Sequence, residues 1–228
     1  SLFSIHKVLL QDFPVDYIIF SSGAGIINWS TKKIILSASL DANMVIAISK
    51  RLVEMNLDFM VHYQIPENHH FVYHTSGIFN LDFANRISLY KDYARPLDFS
   101  IETFGKACQL LAIIPDDADL YDAMRSEFKD VKVIRATSPL DHKSIWVEIF
   151  PLNVSKGFAA EWLCNYLQID KKYTVSLGND YNDIDLLRYT YSSYVVANAP
   201  LDIKEVYQSV KSNDKDGFAD LMADLGLI

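Results

Sequence analysis

The chain has 228 residues, half of them hydrophobic and 22% charged, enough to bury a sizeable core in one large domain or two small ones. A formal net charge of −8 argues against non-specific nucleic-acid binding, which needs a basic surface to displace counterions, but a few local cations could still hold an anionic ligand. Cys108 and Cys164 are far apart and neither sits in a CxxC motif, so a disulfide framework or a cysteine-built zinc site is not expected. No apolar run reaches membrane-spanning length, and the opening residues lack the basic start and long apolar middle of a signal peptide. These features predict a cytoplasmic protein without membrane partners, and leave the oligomeric state open between monomer and homodimer.

In chain order, Leu2 to Gln11 reads as an amphipathic helix and Tyr17 to Phe20 as a short buried strand. Ser21-Ser22-Gly23-Ala24-Gly25 follows as a turn, and Ile26 to Trp29 with Lys33 to Leu36 as a hairpin pair. Met44, Ile48 and Leu52 recur every fourth position and predict a helix from Asp41 to Asn56. Asp58 to Gln64 and His69 to His74 alternate like strands, residues 78 to 95 mix helix and loop, and Gln109 to Ile114 is a strong strand. Asp116 or Asp117 can cap a helix running to Lys129, followed by strands Val131 to Arg135 and Ile145 to Phe150. The rhythm then changes to helix 157–168, strand 173–177, helix 183–189, strand 194–197, helix 203–210 and helix 219–225. Such alternation indicates a parallel sheet with right-handed crossovers. The expected architecture is α/β: a discontinuous core of residues 1–32 and 146–228, interrupted by an α+β unit at 33–145.

The strand ending at Leu177 runs into Gly178-Asn179-Asp180-Tyr181-Asn182-Asp183-Ile184-Asp185. Ligands of open α/β sheets bind beyond the carboxyl ends of the strands, where this turn falls. One or two Asn or Asp residues there are explained as a turn and helix cap. Five Asn or Asp side chains within seven positions point to a hard cation such as magnesium, which takes carboxylate, carbonyl and water oxygens. Upstream, Lys156 opens a helix, where a cation opposes the macrodipole. A solvated lysine is the plain alternative; aimed at a phosphate, the same ammonium would form a charge-assisted hydrogen bond.

Together these stretches resemble the haloacid dehalogenase (HAD) superfamily, in its Cof-like class IIB sugar phosphatases. The resemblance rests on Val154-Ser155-Lys156-Gly157, then Gly178-Asn179-Asp180-Tyr181-Asn182-Asp183, then Asn198-Ala199, in that order, with Asn213-Asp214-Lys215-Asp216-Gly217 like the last loop and Ser21-Ser22-Gly23-Ala24 like an S-N-G-A turn. It covers essentially the whole chain. It implies a Rossmann-like core with a cap domain inserted at 33–145, and a small phosphorylated substrate, with sugar phosphates foremost. It implies Mg2+ held by Asn179, Asp180 and Asp183, phosphate bound by Lys156, and substrate contacts from Asn182, Ser22 and Gly23. Chemistry in the family passes through an aspartyl-phosphate, with a second Asp as acid and base.

Two departures stand out. The D-x-D-G-T that carries the nucleophile is absent; Asp183-Ile184-Asp185 and Asp117-Ala118-Asp119 have the bare spacing in the wrong context. Ser1-Leu2-Phe3 looks like the residues that follow the family's T-G-R, so the resemblance implies a nucleophile outside these 228 residues. The usual metal-binding Asp falls at Asn179, whose amide oxygen can bind magnesium without supplying charge. A non-catalytic binder on the same fold and a phosphomutase therefore stay open beside the phosphatase.

His62, His69, His70 and His74 invite a zinc reading, but no cysteine or carboxylate is seen at a fitting spacing, and closed zinc sites want four ligands. Tyr90, Tyr93 and Phe99 are expected to pack in a core or line a sugar-binding loop.

Overall fold

A computed structural model describes residues 1–10, 12–97 and 101–227; Gln11 and Phe99 lie outside the described residues. The chain folds as two compact units, Ser1–Val154 and Ser155–Ile228.

The first unit opens with α1 (Leu2–Val8), capped by the Ser1 hydroxyl, which accepts from the Ser4 amide. Strands β1 (Tyr17–Phe20), β2 (Gly25–Asn28) and β3 (Lys33–Ser37) form an antiparallel sheet in sequence order. Leu2, Phe20, Ile27 and Trp29 pack together beneath it. Next come α2 (Ala42–Glu54), β4 (Phe59–His62), β5 (Phe71–His74), α3 (Leu81–Leu89), β6 (Ala94–Pro96), α4 (Ile101–Phe104), β7 (Gln109–Ile114), α5 (Ala118–Glu127), β8 (Lys132–Thr137) and β9 (Ile145–Phe150). Asp41 and Asp117 cap α2 and α5 by accepting from Met44 and Leu120 amides, as their position before each apolar stripe predicts.

The last six strands of this unit form one sheet in the order β6-β5-β4-β7-β9-β8, antiparallel except at the β5–β6 edge. Pro96 is tolerated there because an edge strand can spare a donor. Period-two alternation sends Leu110, Ala112 and Ile114 of β7 into a cluster with Val45, Ile48 and Leu52 of α2. Leu111 and Ile113 face the other way, against Met60, Phe83 and Trp146. On that second face the Asp82 carboxylate is buried but satisfied, accepting from Trp146 Nε1 at 2.7 Å and Ser138 Oγ at 2.8 Å.

The boundary expected at residue 146 does not coincide with a break in this sheet. β9 pairs along its whole length with β8 and from Ile145 to Ile149 with β7. Its apolar residues are buried because it is an inner strand of the six-stranded sheet.

The second unit comprises α6 (Lys156–Leu167), β10 (Val175–Gly178), α7 (Ile184–Tyr189), β11 (Ser192–Val196), α8 (Leu201–Lys204), β12 (Gln208–Val210) and α9 (Gly217–Asp224). Its three strands are parallel in the order β10-β11-β12, and Leu187, Val195, Val196, Ala199 and Ile203 form its core. The helix expected from Ile203 to Val210 is not formed. α8 stops at Lys204, and Gln208–Val210 joins β11 as a parallel strand. The helical and extended readings of this short, Val- and Tyr-containing segment differ little in propensity, and the open edge of β11 decides between them. Both expected sheet types, the parallel α/β sheet and the antiparallel α+β unit, are thus present.

Candidate active site

The carboxyl end of β10 carries the oxygen-rich loop. Gly178 ends the strand where a Cβ would lie 2.8 Å from the Asp183 Cβ, so only glycine lets the loop fold back this tightly. The fold-back puts the Asp183 carboxylate under the turn. Its Oδ2 accepts from the Asn179 amide at 2.8 Å and the Asp180 amide at 3.3 Å. Asp180 and Asp183 are both buried.

Lys156 comes from the other side of this unit. The Ser155 hydroxyl caps α6 by accepting from the Phe158 amide at 3.1 Å, which fixes Lys156 as the first helical residue. Gly157 lets α6 approach closely: a Cβ there would meet the Asp185 carbonyl oxygen at 2.3 Å. The Lys156 ammonium donates to Asp183 Oδ1 at 2.6 Å and to Asn182 Oδ1 at 3.0 Å. The misfit of a lysine at a helix start is thereby offset by a carboxylate and an amide drawn from 26 and 27 residues away. An ammonium has three donors; two are directed at the loop, and the side chain stays 30% exposed.

Asp183 therefore has a distinct place among the three residues assigned to the metal. One oxygen holds Lys156 and the other holds two backbone amides, so it braces the loop. Asn179 has an exposed side chain, and the buried Asp180 carboxylate takes part in a capping box with the Asp183 backbone.

Two later loops close beside each other. Asn198 Nδ2 donates to Asn213 Oδ1 at 2.9 Å, and the Asn213 amide donates back to Asn198 Oδ1 at 3.3 Å. Gly217 after this second loop is required because a Cβ would lie 2.0 Å from the Lys211 carbonyl oxygen.

Lys156, Asn179, Asp180, Asn182 and Asp183 thus belong to one loop-and-helix junction in the unit Ser155–Ile228. Ser22 and Gly23 lie in the unit Ser1–Val154, on the turn after β1. There Ser21, Ser22 and Gly23 all have positive φ, at 50°, 53° and 103°. Two consecutive serines in the left-handed region are strained, and Ser22 Oγ compensates by donating to Glu148 Oε2 at 2.5 Å. Glu148 was not singled out in the sequence. The available signal was a lone carboxylate in the otherwise apolar run Ile145 to Phe150.

Comparisons with known proteins bear on the family and the fold. A putative phosphatase of Streptococcus pyogenes serotype M6 is 29% identical over 109 residues, 46% of this chain and 39% of the relative. A putative phosphatase of Haemophilus influenzae is 28% identical over 75 residues, 32% of this chain and 29% of the relative. The matched segments therefore span well under half the length of either curated relative. Among solved structures, BT1666 from Bacteroides thetaiotaomicron, described among phosphatases of the HAD superfamily, superposes with a TM-score of 0.78 at 13% identity, covering 100% of this chain and 80% of that one. The HAD subclass IIB sugar phosphatase BT4131 superposes with a TM-score of 0.75 at 15% identity, again covering 100% and 80%. The model of the haloacid dehalogenase-like hydrolases matches residues 1–222, and the chain belongs to that family.

Proposed function

We propose that this protein is a magnesium-dependent phosphatase of small phosphorylated metabolites, with sugar phosphates as its preferred class. The observation that carries the reading is the Lys156 ammonium held 2.6 Å from Asp183 and 3.0 Å from Asn182 at the end of a parallel strand. In this reading Lys156 binds a phosphoryl oxygen through its remaining donor, and Asn182 and Asp183 aim it. Asn179 and Asp180 would hold the magnesium, because amide and carboxylate oxygens suit a hard cation. When bound, the ion would offset charge on the phosphoryl group. Within the unit Ser155–Ile228 the parallel sheet handles the phosphate; the six-stranded sheet of the unit Ser1–Val154 corresponds to the cap that the family resemblance implies. The sugar preference is supported by the description of BT4131 as a sugar phosphatase.

The displacement in this chemistry uses an aspartate of a D-x-D-G-T motif, which is not among the 228 residues, so the test uses the complete gene product. It should hydrolyse a generic aryl phosphate in the presence of Mg2+. Lys156→Ala should lower kcat/KM by about two to three orders of magnitude, the usual effect of removing one donor from a site of developing negative charge. Full activity in that variant would sink the assignment. The amide at Asn179, where the family carries a carboxylate, favours a second reading as a non-catalytic binder of phosphorylated ligands. Calorimetric binding without turnover by the complete protein would select it.

A further inference from the structure

A separate side-chain cluster sits on the loop joining β4 to β5, in the unit Ser1–Val154. His69 Nε2 and His70 Nε2 lie 3.8 Å and 3.6 Å from the same Glu67 Oε2, and one ligand atom from each residue falls within 4.8 Å of the others. In the linear sequence no carboxylate stands at a fitting spacing for these histidines. The fold supplies one locally, because the His70 amide donates to the Glu67 carbonyl at 2.9 Å and the turn leaves the Glu67 carboxylate near the Nε2 atoms of both rings. His62 and His74 do not join it. His62 Nδ1 bonds the Asn68 carbonyl at 2.9 Å, and His74 packs against Phe59.

We propose that Glu67, His69 and His70 form a binding site for a first-row divalent ion of the zinc class, open at a further coordination position. Four-coordinate zinc holds nitrogen and oxygen at about 2.0–2.2 Å, which sets neighbouring donors roughly 3.4 Å apart. The two distances to Glu67 are within a few tenths of an ångström of that spacing, and all three donors lie within 4.8 Å of one another, so side-chain rotation about the loop is needed to draw the set onto one ion. Two imidazoles with one carboxylate suit zinc, nickel or cobalt and are a poor match for magnesium.

The scaffold holds these groups in place before any ion arrives. The His69 ring stacks on Phe3 at 4.8 Å and 9° and meets the edge of Tyr93 at 4.9 Å; the His70 ring meets Tyr93 at 5.0 Å. Asn68, between Glu67 and His69, is anchored by its side chain to Ser21 Oγ at 2.7 Å. Beside the cluster, Tyr63, Glu67, His70, Phe71, Tyr93 and Arg95 line a cleft of about 420 Å³, room for water or an exchangeable anion at the remaining position.

The test is calorimetric titration of chelator-stripped protein with Zn2+ in excess Mg2+, with the visible spectrum of the Co2+ form as a second readout. The expected result is one equivalent bound at about micromolar Kd or tighter, and cobalt bands of tetrahedral type. Glu67→Gln and His70→Gln, both at partly exposed positions, should weaken binding by about tenfold or more, an effect typical of disturbing a metal's ligand shell, with unchanged circular dichroism. Asp180→Asn should leave zinc binding as it was, which keeps this site distinct from the phosphatase loop. Absence of a stoichiometric zinc signal, or equal binding by the Glu67 and His70 variants, overturns the proposal.

Discussion

Two residues show how burial turns local chemistry into measurable stability. Asp183 holds one ammonium and two backbone amides from a nearly solvent-free position. Asp183→Ala removes all three partners at once and leaves Lys156 beside a cavity. It should cost about 3–5 kcal/mol in urea unfolding, as expected for breaking one side of a buried pair. His62 acts in the opposite sense. It is fully buried, and burial together with the nearby Arg86 charge lowers its pKa from 6.5 to about 3. The unfolded chain therefore takes up a proton below about pH 6.5 that the folded chain refuses until about pH 3. The contribution is fully present above pH 6.5 and is lost as pH falls through that window, by at most about 1.4 kcal/mol per pH unit. Unfolding measured at pH 7 and pH 5 should show a shallower loss for His62→Gln than for the unaltered chain; equal slopes would contradict this account.

At the scale of elements, the close approaches are set by glycines that bear no chemistry. A methyl group at position 157 would meet the Asp185 carbonyl oxygen at 2.3 Å, and one at 217 would meet the Lys211 carbonyl oxygen at 2.0 Å. Both obstacles are backbone, so they cannot rotate away. Gly157→Ala and Gly217→Ala should each lower stability by about 1–3 kcal/mol, the usual range for overpacking. Gly157→Ala should also reduce aryl-phosphate turnover, because displacing α6 carries Lys156 away from Asn182. Thermal melts paired with activity assays separate the two effects. These glycines could be read in the sequence as motif positions, but what they approach could not, since Asp185 and Lys211 become neighbours only after the chain has folded. The strand at Gln208–Val210 was hidden for a similar reason: the deciding partner is the edge of β11. By contrast, Gln109–Ile114, Ile145–Phe150 and the α5 cap, offered at Asp116 or Asp117 and found at Asp117, follow from local pattern alone.

For the whole molecule, the loop at residues 178–183 and the lysine at 156 were legible as separate polar clusters, and the fold joins them through hydrogen bonds that sequence order alone does not specify. The zinc-class cluster was less legible, because its carboxylate is recruited by a turn rather than by a strand or helix period. The same contrast between local and assembled structure predicts where the backbone is best protected. Every residue of β7 is buried, and it is paired on both sides. Its amides should exchange slowest, with those of α1 and the edge strands β6 and β12 among the fastest. Exchange mapped by mass spectrometry would refute this ordering if β7 exchanged with the edges. No helix among the described residues is long and apolar enough to cross a membrane.

The bond from Trp146 to the buried Asp82 has a practical consequence. Trp29 and Trp146 belong to the unit Ser1–Val154, and Trp162, stacked on Tyr166, belongs to the unit Ser155–Ile228. Replacing the first two with phenylalanine would leave a single indole whose fluorescence follows the second unit alone. Replacing Trp162 would leave emission from the first, so the natural chromophores can report whether the two units melt together or in turn.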